Sequence, residues 1–87
     1  MSLFELGRLS ATPRAKDFLN QGEAMEIIRR HSKGDWGDLS EEDKKENDLS
    51  VKEGFRILSS YRIRGKKIWV ITEADRSVTT LLFPDEY

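Results

Sequence analysis

Along the first two-thirds of the chain apolar residues recur at steps of three and four; from Phe55 onward they fall at alternate positions. The first spacing predicts helices and the second predicts strands. Thr12-Pro13 marks a helix start: threonine caps free N–H groups, and proline suits the first helical position. A helix is expected from Pro13 to about Leu19, stopped by Asn20-Gln21-Gly22. A second runs from Glu23 to about Ser32, with Ala24, Ile27, Ile28 and His31 on one face. A third opens at Ser40, runs from Glu41 to Glu53 and stops at Gly54. Leu6–Ser10 reads either as a short edge strand or as a loop.

In the alternating region Phe55, Ile57, Ser59, Tyr61 and Ile63 point one way, and Arg56, Leu58, Ser60, Arg62 and Arg64 the other. Gly65 turns the chain into a second strand, Lys67–Thr72. Ala74-Asp75-Arg76 turns it again into a third, Ser77–Phe83, which Pro84 ends. The expected fold is therefore α+β: one domain, residues 1–87, with about three N-terminal helices packed on a C-terminal antiparallel meander of three strands. The short N-terminal strand, if formed, makes a fourth. The expected core is Phe18, Leu19, Ile27, Ile28, Trp36, Phe55, Ile57, Tyr61, Ile68, Val70, Ile71, Leu81 and Leu82.

Composition narrows the chemistry. The 87 residues contain no cysteine, which removes disulfides, thiolate metal sites and cysteine nucleophiles. No apolar run is long enough to span a bilayer, and Met1–Glu5 carries an acid where a signal peptide carries positive charge. A cytoplasmic protein without a membrane partner is expected. Net charge is −1, but it is unevenly spread. Residues 40–54 carry −3, residues 55–67 carry +5, and residues 68–87 carry −3. The basic segment either pairs with its acidic neighbours on folding or forms a local anion site.

The candidate chemistry is sparse. His31, the only histidine, ends a helix before a loop with Asp35, Trp36 and Asp38. Oriented by either aspartate it would suit acid–base work; otherwise it is a partly buried helix-end residue bonded to a backbone carbonyl. Arg76, with Thr79 and Thr80, could present an anion-binding set, or serve turn and strand propensity alone. Arg62, Arg64, Lys66 and Lys67 form a basic hairpin tip, with Arg56 on the preceding strand and Tyr61 and Trp69 nearby for base stacking. Asp43, Asn47 and Ser50 make a polar stripe on the third helix, and Asn47 is a poor helix former unless its amide holds something. Trp36 should pin its loop to the core. Asp35 and Asp38 could bind a divalent cation, but no further acid sits at ligand spacing and the calcium-loop pattern is absent. With no glycine-rich phosphate loop or hydrolase triad either, no cofactor and no metal are expected.

Three runs, residues 6–13 (LGRLSATP), 31–38 (HSKGDWGD) and 69–80 (WVITEADRSVTT), resemble a family of small bacterial "plasmid-related" proteins that travel with mobile elements. That resemblance implies a mobile-element setting and no reaction. Helices followed by a meander, with a helix-end His and strand-borne Arg and Thr, are also similar at fold level to the barnase–colicin–RelE-type RNases. The analogy implies His31 as acid–base group with Arg76, Thr79 or Thr80 on phosphate. Two functions are thus expected. One is a metal-independent RNase-like or RNA-binding domain, in which His31, Arg76 and Thr80 must share one hollow. The other is a small protein-interaction module, which calls for an exposed apolar patch or an unpaired strand edge.

Overall fold

The computed structural model describes residues 2–87. Its elements run β1 (Arg8–Ala11), α1 (Pro13–Phe18), α2 (Gln21–Ser32), α3 (Glu41–Glu53), β2 (Ile57–Ile63), β3 (Lys66–Thr72) and β4 (Val78–Leu82), closed by one 3₁₀ turn at Pro84–Glu86. Each helix starts where local chemistry satisfies its free amides. The Thr12 hydroxyl accepts from the Ala15 N–H, with Pro13 in the first turn. Asn20 and Glu23 form a reciprocal capping box, at 2.7 and 3.0 Å. That box starts α2 at Gln21, two residues ahead of the expected Glu23, and places Gly22 inside the helix. Ser40 caps α3, and Gly54 ends it in the left-handed region.

The sheet is four-stranded and mixed, in the order β1-β4-β3-β2. β2, β3 and β4 form the expected antiparallel meander. The fourth strand exists, but β1 precedes all the helices and pairs parallel with β4. The arrangement is therefore not a block of helices packed on three strands. The helices lie in the connection between one edge strand and the other. They leave β1 beside the last strand, where Gly7 makes a sharp passage under the β3–β4 turn. Its φ is +67°, and a Cβ there would lie 2.4 Å from Arg76 and Ser77 backbone atoms.

By register and pleat, Ile57, Ser59 and Tyr61, then Ile68, Val70 and Thr72, then Thr79 and Leu81 share one face. Tyr61, Ile68, Val70 and Leu81 pack there against Ala15 and Leu19 of the α1 segment and Ile27 and Ile28 of α2. A second cluster joins Phe4, Trp36 and Ile57. Phe55, expected in the core, is 54% exposed, because β2 begins only at Ile57 and Phe55 lies in the turn after α3. Phe18 is half-buried on the rim of the core. Ala15 is fully buried on the core face of α1, as the spacing of that helix predicts, while Phe4 and Phe83 are buried without having been expected. No helix among the described residues is long and apolar enough to cross a membrane.

Candidate functional site

His31 is fully buried, with no exposed surface. Its ring meets Phe4 and Trp36 edge-on, at 5.3 and 5.9 Å between centroids. Its hydrogen-bond partners are neither Asp35 nor Asp38. Nδ1 lies 2.5 Å from the Ser59 hydroxyl and Nε2 lies 2.9 Å from that of Thr72. Thr72 Oγ1 is 2.7 Å from Thr79 Oγ1, which donates to the Leu6 carbonyl. The terminal carbonyl orders the chain of protons. It only accepts, so Thr79 spends its hydrogen on Leu6 and Thr72 spends its own on Thr79. Thr72 must then accept from Nε2–H, leaving Nδ1 to accept from Ser59. A neutral imidazole fits this arrangement, and burial pushes the His31 pKa down to about 4.

Arg76 is committed to the backbone. Its guanidinium donates to the carbonyls of Phe55, Ser50, Glu73 and Ala74 at 2.7–3.3 Å. It thereby ties the β3–β4 turn to the end of α3. It also packs on Phe4, 5.7 Å from the ring centroid. Phe4 is thus a shared neighbour of His31 and Arg76, but His31 is closed from solvent. Thr80 is further removed. It pairs with Ile71 and Ser10, on the sheet face opposite the one His31 touches. The expected common hollow of His31, Arg76 and Thr80 is not formed.

The residues expected to meet nucleic acid are dispersed too. Thr79 is buried in the His31 network. Arg64 folds back on α1 and α2, where it pairs bidentately with Glu23, covers the Phe18 ring at 4.2 Å and donates to the Phe18 carbonyl. The guanidinium holds the Glu23 carboxyl well below its usual range, at about 2. Lys66 and Lys67 line an open cleft that also holds Asp17 and Asp85. Arg62 and Lys67 both approach Asp38, at 3.8 Å each. Arg56 lies over the Tyr87 ring at 5.0 Å, and that ring meets Trp69. The basic segment largely spends its charge inside the molecule.

The polar residues around the third helix are structural. Trp36 is buried, and its indole N–H donates to Asp48 at 3.0 Å. Asp35 pairs with Arg30 at 2.6 Å, which lowers the carboxyl pKa, and its carbonyl accepts from the Tyr61 hydroxyl. Burial pushes that hydroxyl up to about 12. The Asn47 side chain bonds both backbone groups of Leu58. Gly37 forms a parallel bridge to Ser60: Ser60 N–H donates to the Trp36 carbonyl, and Asp38 N–H donates to the Ser60 carbonyl. The outer edge of β2 is therefore closed at Leu58 and Ser60. No group of three or more His, Asp or Glu among the described residues could hold a metal ion.

The other edge is open. The amides of Arg8 and Thr12 donate inward, to Ser77 and Leu81. In a parallel pair that phase turns the N–H and C=O groups of Leu9 and Ala11 outward. Among the described residues nothing pairs with them, and both residues are exposed, Leu9 to 48%. Their side chains share the face turned to α2, and an apolar groove runs between strand and helix. It comprises adjoining hollows of about 330 and 340 Å³ that share Ala11, Lys16, Ala24 and Leu81. A third, of about 360 Å³, continues past Ile28 toward Leu6 and Met25. Met25 is 54% exposed. Sequence reading left Leu6–Ser10 open and gave no role to Leu9, Ala11 or Met25. The one legible signal was an apolar residue flanked by Arg8 and Ser10, too short a pattern to fix an edge. No protein-family model, curated protein or solved structure matches the chain.

Proposed function

We propose that this chain is a small protein-interaction module that takes up an extended segment of a partner protein along β1, and that His31 serves its core rather than a reaction. One observation carries the reading: the unpaired backbone of Leu9 and Ala11 stands beside an apolar groove floored by Ala24 and Ile28. Exposed edges invite pairing, and proteins commonly blunt them. Here β2 is blunted by a loop and an asparagine, while β1 is left free next to a place for side chains. In strand addition, backbone bonds supply affinity and pockets for alternate side chains supply selectivity. The occupant is accordingly an extended chain with apolar residues at every second position.

The test is an NMR titration of the labelled protein with short peptides of alternating valine and threonine. Binding along β1 shifts the amide signals of Leu9 and Ala11 and slows their exchange. A Leu9→Pro variant loses an outward N–H, keeps the inward bonds to β4, stays folded and no longer binds. Peptides that leave these two amides unmoved at millimolar concentration would overturn the reading.

A further inference from the structure

We infer that the segment taken up along β1 runs antiparallel to it and carries a carboxylate at its N-terminal end, level with Lys16. This rests on the strand-addition reading and adds the chemistry and direction of the guest.

Direction follows from the backbone. Antiparallel pairs are slightly more stable per residue than parallel ones, and each outward-facing residue then exchanges two hydrogen bonds with the residue opposite. Leu9 and Ala11 thus offer four bonds over one stretch of three residues. Guest residues opposite them project onto the same face as Leu9 and Ala11, which is the face turned to α2. Two alternate guest side chains therefore enter the groove, one toward Ile28 and one toward Ala24.

Charge follows from what lines the groove. Of its charged side chains, Glu26 and Arg29 neutralise each other in an ion pair. Lys16 lines both hollows at the Ala11 end, and no carboxylate among the described residues pairs with it. Arg8, at the start of β1, also has no ion-pair partner among them, but it pairs with Val78 and so points to the sheet face opposite Leu9 and Ala11, away from the groove. The groove is apolar with an uncompensated ammonium at the α1 end. An antiparallel guest reaches that end with its N-terminal residues, so an acid two places before the first groove-facing apolar residue meets Lys16. Fixed charges at a rim select partners more than they add affinity.

The experiment compares three peptides by NMR titration: acetyl-Glu-Thr-Val-Thr-Val-amide, the same peptide with Lys for Glu, and acetyl-Val-Thr-Val-Thr-Glu-amide. The first is expected to bind about five-fold more tightly than the second, the size of a modest exposed ion pair against like-charge contact. It should also bind more tightly than the third, whose acid falls at the wrong end. A Lys16→Glu variant, at an exposed position, should reverse the order of the first two. If all three shift Leu9 and Ala11 equally, or Lys16→Glu leaves the order unchanged, the inference fails while strand addition stands. If none shifts those amides, strand addition itself fails. If size-exclusion chromatography with light scattering shows a dimer that Leu9→Pro dissolves, the edge is occupied by a second copy and the acidic guest is wrong.

Discussion

The Asn47 carboxamide, buried on α3, donates to the Leu58 carbonyl at 2.6 Å and accepts from the Leu58 amide at 3.2 Å. One helical side chain thus stands where a fifth strand would otherwise pair. It explains an asparagine in the middle of a helix, where its own propensity is poor. The edge that Asn47 closes and the edge at Leu9 that stays open are the two ends of one sheet.

Asn47→Asp keeps the shape but turns a donor into an acceptor facing the Leu58 carbonyl. A loss of about 2 kcal/mol in urea unfolding is expected, from a buried carbonyl left unsatisfied beside a charge. Asn47→Leu should cost a similar amount and in addition raise concentration-dependent association, because the edge of β2 opens. Light scattering of the folded variants checks the second effect.

His31 makes stability depend on pH. Its folded pKa is about 4 against an ordinary 6.5, so the unfolded chain binds the proton more readily. Stability from this group is full above pH 6.5, falls as pH drops through the window, and levels off below about 4. The full swing is about 3 kcal/mol. A His31→Phe variant carries no such titration. The stability difference between wild type and variant should therefore shrink by about that amount between pH 7 and pH 4, as measured by chemical denaturation across pH.

Two glycines in the left-handed region should respond differently to alanine. At Gly37, φ is +76° and an added Cβ would lie 2.0 Å from the Ser60 carbonyl oxygen, within the bridge that closes β2. At Gly65, φ is +81° but nothing lies within 4 Å. Gly65→Ala is expected to cost about 1 kcal/mol from backbone conformation alone. Gly37→Ala should cost at least about 3 kcal/mol, because conformation and collision add. Equal losses in thermal unfolding would contradict the close approach.

Arg76→Lys tests whether the guanidinium fork matters. A single ammonium cannot bridge Ser50, Phe55 and the β3–β4 turn together. The expected loss is about 1–2 kcal/mol, with faster amide exchange at the end of α3. Arg76→Gly also relieves the positive φ of 62°. It should therefore be no worse than Arg76→Lys by more than a few tenths of a kcal/mol.

What the sequence determined by itself was local. The Thr12-Pro13 cap, the Ser40 cap, the Gly54 stop and the alternation from Ile57 to Ile63 each act within a few residues, and each is where it was read. The role of Trp36 as a loop anchor was also legible, from its size in a glycine-rich loop. The tertiary structure alone decided which distant groups meet. His31 looked like a helix-end base, but Ser59 and Thr72, 28 and 41 residues away, take both of its nitrogens. Arg76 looked like an anion ligand until the fold delivered carbonyls from α3 and Phe55 to it. β1 became an open edge only because the chain returns through three helices and two strands to lay β4 beside it. Caps and periods are short-range energies written in adjacent residues, whereas partners across a sheet depend on register and on which face each strand turns inward.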